Sequence, residues 1–207
     1  MPAPNSSPLP IDRARPHERT VETVLERVQR SEQALASVRA AAGTVALAAE
    51  AIATALANGG TVYTAGNGGS AAEALHFAEE LVGRYRSNRP PLRAVCLAAD
   101  PTGLTCIGND FGFDAVFARP CEAFLTARDV LVVFSTSGKS RNLLAAIAVA
   151  RSKGTLVIGL LGGDGGPALE QCDLAVLVAG ADSAAVQEGH QVVLHAVCEH
   201  LELAFPG

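Results

Sequence analysis

A chain of 207 residues, 49% of them apolar and only 4% aromatic, is sized for one domain with a core built on Ala, Val and Leu. Its formal net charge of −5 argues against a protein that grips a nucleic-acid backbone, which calls for a basic balance; a small phosphorylated metabolite, needing only local donors, stays open. No apolar run reaches the length of a membrane span, because Glu50 interrupts the Ala-rich stretch from Val45 to Ala57.

The opening M-P-A-P-N-S-S-P-L-P has no apolar h-region, so residues 1–16 read as a disordered leader and not as a secretion signal. Residues 17–207 are expected to form the domain. Val21, Val24, Leu25 and Val28 recur at helical spacing and start a helix to about Ala40. A second helix, Gly43 to Ala57, stops at Asn58-Gly59-Gly60. Thr61 to Ala65 reads as a buried strand, Ser70 to Arg84 as a helix and Arg93 to Ala98 as a strand. Ala115 to Ala127 is expected to be mostly helical, with a break near Pro120. The run Asp129 to Phe134 is an almost unbroken V/L/F strand, followed by a hydroxyl-rich turn and a helix from Asn142 to Lys153. Thr155 to Leu160 and Leu174 to Val178 are two more strands, and Ala184 to Ala204 is a long closing helix. Five short apolar strands with helical connections predict an α/β fold, a parallel sheet with helices on both faces preceded by N-terminal helices. Ligands of such sheets bind beyond the carboxyl ends of the strands.

Two loops stand at such ends. Gly66-Asn67-Gly68-Gly69-Ser70 lets an oxyanion approach backbone N–H groups at a helix start. Ser135-Thr136-Ser137-Gly138-Lys139-Ser140 offers four hydroxyls before the next helix. Either loop alone is most simply an N-cap and a turn; two of them after strands of one sheet point to a phosphate. Gly66-x-Gly68-x-x-Ala71 matches a dinucleotide fingerprint, but the acid it requires about 20 positions on is missing, Asp100 falling about ten residues late. A P-loop ending at Gly138-Lys139-Ser140 would need a glycine where Val133 stands.

His76 and Glu80, four apart, share a helix face. That spacing fits two metal ligands, a base with its orienting partner, or a solvated pair. Gln187, His190 and His195 interrupt an otherwise apolar helix, as functional groups or as core or interface residues; His17 and His200 receive no role. Five cysteines (Cys96, Cys106, Cys121, Cys172 and Cys198) form no C-x-x-C pair and are odd in number. Reduced thiols in the cytoplasm are expected, with neither a zinc cluster nor a disulfide framework.

The segments G-N-G-G-S-A-A-E-A-L-H-F-A-E-E-L-V-G-R-Y (Gly66 to Tyr85), I-G-N-D-F-G-F (Ile107 to Phe113), S-T-S-G-K-S (Ser135 to Ser140) and V-Q-E-G-H (Val186 to His190) followed by His195 resemble, in order, the signatures of the phosphoheptose isomerases of the sugar isomerase (SIS) domain family. The similarity runs from about Val21 to Glu202. It implies a single SIS-type domain that converts sedoheptulose 7-phosphate to D-glycero-D-manno-heptose 7-phosphate through an enediol, feeding heptose synthesis for cell-surface glycans. The resemblance also implies a homotetramer with one zinc per subunit. By motif position the metal ligands would be His76, Glu80, Gln187 and His195, and the acid–base pair Glu80 and His195. Substrate would contact Asn67, Gly68, Gly69, Ser70, Glu80, Asn109, Asp110, Ser135, Thr136, Ser137, Ser140 and Gln187. Lys139 stands where the family commonly has Asn, and Ala184 and Ala185 where polar or basic residues are usual. Relatives that only sense a sugar phosphate or attach to a replication initiator keep the phosphate loops and lose the catalytic side chains; the presence here of His76, Glu80, Gln187 and His195 favours an enzyme.

Gln187 and His195 lie eight residues apart on one helix, a rise of about 12 Å with directions about 80° apart. An active site completed across a subunit interface is therefore expected. The apolar run Val192, Val193, Leu194 and Val197 is the expected oligomer contact.

Overall fold

A computed structural model of the chain describes residues 16–207. The leader expected over residues 1–16 lies outside the described residues, save Pro16, which opens the first helix. Helix α1 (Pro16–Ala40) meets α2 (Ala42–Ala57) at a 67° bend. Then follow β1 (Val62–Gly66), α3 (Gly69–Val82), β2 (Ala94–Cys96), α4 (Pro101–Phe111), a 3-10 turn (Phe113–Ala115), α5 (Ala118–Phe124), β3 (Val130–Ser135), α6 (Arg141–Ser152), β4 (Leu156–Gly162), α7 (Gly166–Leu169), β5 (Leu174–Val178) and α8 (Ser183–Ala204). No single described helix is long and apolar enough to cross a membrane.

The five strands form one parallel sheet in the order β2-β1-β3-β4-β5, as the strand count and apolar runs predict. Its core follows the two-residue period of a strand. Val130, Val132 and Phe134 of β3 face a layer made with Ile52, Phe77 and Leu194, from α2, α3 and α8. Leu131 and Val133 face the opposite layer with Phe117, Leu143 and Ile147.

Three features differ from expectation. Helix α4 and the four-residue α7 were not read from the sequence. Pro120 does not break a helix but sits in the first turn of α5, where its missing N–H costs nothing; the interruption is at Val116 and Phe117. Of the run expected to make an oligomer contact, Val193, Leu194 and Val197 are buried in the chain's own core, and Val192 alone is exposed.

Strand order places the reversal of chain direction across the sheet between β1 and β3, and the two hydroxyl- and glycine-rich loops follow those two strands. An open parallel sheet leaves its binding crevice there, because the two connections leave in opposite directions.

Candidate active site

Loop one is shaped by close approaches. A Cβ on Gly66 would lie 2.3 Å from the Ser70 carbonyl oxygen, and one on Gly69 would lie 2.5 Å from the Gln187 amide nitrogen. Gly68 caps α3 with a φ of 56°, a conformation natural to glycine. Ser70 is buried at the helix start. Asn67 and Asn142 exchange amide hydrogen bonds of 3.0 and 2.8 Å, tying this loop to the start of α6.

Loop two is held from within. The Ser135 hydroxyl accepts from the Gly138 N–H at 2.9 Å, and the Ser137 hydroxyl accepts from the Lys139 N–H at 3.3 Å. Each hydroxyl therefore keeps its own hydrogen for a ligand. Ser140 occupies the N-cap of α6 without a side-chain cap bond, and its hydroxyl is free of that duty. Thr136 Oγ1 lies 3.2 Å from Ser183 Oγ at the start of α8. The loop after β4, Gly162 to Gly166, interlocks with this one: Ala168 N–H donates to the Gly138 carbonyl at 3.1 Å.

Helices α3 and α8 run side by side in the same direction. Gln187 meets Gly69, His190 meets Glu73, and His195 meets His76. At the far end His76 Nε2 stands 2.9 Å from Glu80 Oε1. The Gln191 amide nitrogen lies 2.7 Å from His76 Nδ1 and 3.1 Å from His195 Nε2. With one amide hydrogen given to each ring, His76 carries its proton on Nε2 and donates it to Glu80. Burial first, and the nearby His76 second, lower the pKa of His195 below the ordinary imidazole range, against the opposing pull of Glu80. The neutral ring that results suits metal ligation and proton acceptance. Tyr85 flanks His195 with ring centroids 5.4 Å apart.

Donor atoms of His76, Glu80 and His195 all lie within 4.8 Å of one another. Tetrahedral ligands about 2.0–2.2 Å from one zinc ion stand about 3.4 Å apart, so side-chain shifts on the order of 1 Å would close the set. Two imidazoles and a carboxylate are a donor set that zinc accepts. In this chain Gln187 does not reach the cluster; it rests beside Gly69, seven residues or about 10 Å along α3 from His76. Gln191 takes the position between the rings. It was not among the expected residues, although its i,i+4 relation to His195 was available in the sequence.

Asn109 and Asp110 ride on α4, a helix with no buried residue. Asn109 Nδ2 donates to Asp110 Oδ1 at 2.7 Å, and among the described residues no hydrogen bond or ion pair joins the two to the other candidate residues. His190 is fully buried against Phe134, 3.7 Å from a Glu73 oxygen. Among the described residues neither side chain has a hydrogen-bond partner, so His190 is not the satisfied core histidine that its apolar neighbours suggested.

The SIS domain family matches residues 25–162. A phosphoheptose isomerase of Campylobacter concisus is 48% identical over 165 residues, covering 80% of this chain and 87% of that protein. Another, of Geobacter sulfurreducens, is 49% identical over 164 residues, with 79% and 87% covered. A solved phosphoheptose isomerase from Francisella tularensis superposes with a TM-score of 0.85 at 33% identity, covering 89% of this chain and 98% of that one. The Neisseria gonorrhoeae enzyme superposes at 0.81 and 36% identity, with 90% and 98% covered. With these matches along nearly all of its described length, the chain belongs to the phosphoheptose isomerases of the SIS domain family.

Proposed function

We propose that this chain is an aldose–ketose isomerase that converts sedoheptulose 7-phosphate to D-glycero-D-manno-heptose 7-phosphate in the cytoplasm, in the service of cell-surface heptose. The observation that carries the reading is the convergence of Glu80, His76 and His195 from two helices, on a fold whose switch-point loops are built for a phosphate.

The reaction moves a carbonyl from C2 to C1. Glu80 removes a proton from C1, the electron pair forms the enediol, and a proton returned to C2 completes the aldose. His195 exchanges the oxygen-bound proton in the same sequence. Ser135, Thr136, Ser137 and Ser140, with Asn67, Gly68, Gly69 and Ser70, hold the phosphate end. Asn109, Asp110 and Gln187 bind the sugar, so that binding energy remote from the chemistry orients the reacting carbons. His76, Glu80 and His195, with a Gln187 contributed by a neighbouring protomer as the fourth ligand, would hold one zinc ion per subunit, which would supply a Lewis acid for the developing oxyanion when bound.

We place the complete site at a subunit interface of a homotetramer. Gly69 and Glu80 are eleven residues apart on α3, about 16 Å along its axis, which favours phosphate loops of one protomer working with the acid–base cluster of another. Gln187 and His195 of one chain face different levels of α3, which supports the same arrangement. Leu75, Val82, Val192 and Leu203, exposed on α3 and α8, offer the apolar contact.

Purified protein incubated with sedoheptulose 7-phosphate, with and without zinc, is expected to develop aldose resonances by NMR. Glu80→Gln should cut turnover by about 10² to 10⁴ with the fold intact. Near-full turnover in Glu80→Gln would remove Glu80 from the mechanism. No aldose under either condition would leave a binding protein. Mixing inactive Glu80→Gln and His195→Ala protomers should recover activity if the site is shared; none after verified subunit exchange places both residues in one chain's site.

A further inference from the structure

The catalytic carboxylate stands on the last turn of α3, three residues before the Gly83 C-cap. A helix end leaves four carbonyls without intrahelical donors, and such turns fray unless something else bonds them. Here Glu79 carbonyl accepts from Gly83 N–H at 2.7 Å, and Leu81 carbonyl accepts from Leu92 N–H at 2.9 Å. The carbonyl of Glu80 itself is bonded by a side chain: Arg89 Nη2 donates to it at 2.7 Å, while Arg89 Nη1 donates to the Leu81 carbonyl at 3.0 Å and to the Pro90 carbonyl at 3.0 Å.

Arg89 is only 8% exposed, and among the described residues no carboxylate lies within ion-pair distance of it. Burying a guanidinium without a counter-ion is costly. What offsets it is the negative end of the α3 dipole, the fork of donors placed on consecutive carbonyls and the more distant charge of Glu202, with Nε left unpaired. Exposed helix ends are ordinarily satisfied by water or by a glycine turn; a buried arginine is a device for holding one particular turn still.

The segment that delivers Arg89 also reaches the other catalytic helix. Arg86 and Ser87 N–H groups donate to Glu202 of α8 at 2.7 and 2.8 Å, and Tyr85 packs on His195. One stretch, residues 84–89, thus spans the C-terminal ends of α3 and α8.

We propose that Arg89 is a positioning residue for the isomerisation: by capping the carbonyls of Glu80 and Leu81 it fixes the base against His76 and His195. The proposal rests on the assignment of Glu80 as the base. A carboxylate must be held to within about 0.5 Å to work, and a frayed last turn would let Glu80 wander while leaving the phosphate loops, eleven residues away, undisturbed.

Two variants of the full-length protein test it, Arg89→Met and Arg89→Lys, the second keeping the charge but losing the planar fork. Isomerase kinetics are read alongside hydrogen–deuterium exchange over residues 76–84. In a folded Arg89→Met protein kcat is expected to fall about tenfold or more with KM within about threefold, and Arg89→Lys to lie between it and the parent. Exchange over residues 76–84 should rise while that of β1 and β3 stays at the parent level. A folded variant with kcat within threefold of the parent, a loss confined to KM, or unchanged exchange over residues 76–84 would overturn the proposal. If Arg89→Met does not fold, Arg89→Lys is judged by the same two readouts. Glu80→Gln is run in parallel: if it retains turnover, the base assignment fails, a result distinguishable from failure of the cap because exchange reports on Arg89 without any catalysis.

Discussion

The hydroxyl-rich loop after β3 is held by a neighbour that tolerates no side chain, and a series of glycine-to-alanine substitutions measures how firmly. Gly138 has a φ of 62°, and a Cβ there would lie 1.8 Å from the Gly165 carbonyl oxygen. Ordinary contact starts near 3.4 Å, so one backbone must yield by about 1.5 Å. Left-handed backbone costs an alanine about 1–2 kcal/mol, and forced repacking about 1–3 kcal/mol more. The sum, about 2–5 kcal/mol, corresponds to a fall in Tm of roughly 4–20 °C for a chain of this size. Two other glycines separate the contributions. Gly163 has a φ of 62° but nothing within 4 Å of a Cβ, so Gly163→Ala should show the backbone cost alone. Gly43 lies in α2 with open space around it, and Gly43→Ala should stabilise by about 0.5–1 kcal/mol. Thermal unfolding by circular dichroism ranks the three, and the KM for sedoheptulose 7-phosphate should rise in Gly138→Ala, the substitution that displaces the Ser135–Ser140 loop. A Gly138→Ala protein that melts with Gly163→Ala and keeps the parent KM would refute the view that the β3 and β4 loops are rigidly interlocked.

The Ala185 N–H and the Arg27 guanidinium hold the Asp182 carboxylate at about 2, below its ordinary range near 4. Stability from that charge is therefore present above about pH 4 and lost as pH falls through about 2, so Asp182→Ala should melt below the parent at pH 7. The gap should close in acid, and a gap independent of pH would remove the charge as its cause. Thiol chemistry gives a second check. Burial pushes Cys121, Cys172 and Cys198 up to about 12, Cys96 is buried and Cys106 alone is exposed. A chromogenic disulfide at pH 8 should thus modify one thiol at once and the rest only on unfolding, with Cys106→Ser abolishing the fast phase; two or more fast equivalents would contradict the burial pattern.

The strands were legible because a sheet covered on both faces demands continuous apolar runs, and Val130 to Phe134 could be little else. The two loops stood out as a pair: glycines and hydroxyls after one strand make an ordinary N-cap and turn, but the same feature after two strands of one sheet does not arise from capping alone. Helix α4 was passed over although its start is written in ordinary terms, with Asp100 as an N-cap accepting from Thr102 N–H at 2.9 Å and Pro101 at its first position. Its apolar residues Leu104, Ile107 and Phe111 recur at helical spacing, and Leu104 and Ile107 pack against the core from its edge, but a run of only eleven residues that also contains two glycines and two threonines did not stand out.

Spacing within one helix announces neighbours on that helix, which is why His76 and Glu80 stood out as a pair. It says nothing about which level of a second helix they will meet. That depends on α3 and α8 packing in parallel from a common start near the phosphate loops, a relation set by the whole sheet. Once Gln187 is placed at the level of Gly69, each further turn of α8 must climb beside a further turn of α3. Glu73 then falls to His190, and His76 to Gln191 and His195. Eight residues on one helix cannot converge on a point that seven or eleven residues on its parallel neighbour have also left behind. The in-chain cluster is therefore formed by residues at matching levels of the two helices, and Gln187, the expected ligand nearest the start of α8, faces the glycine-rich loop after β1.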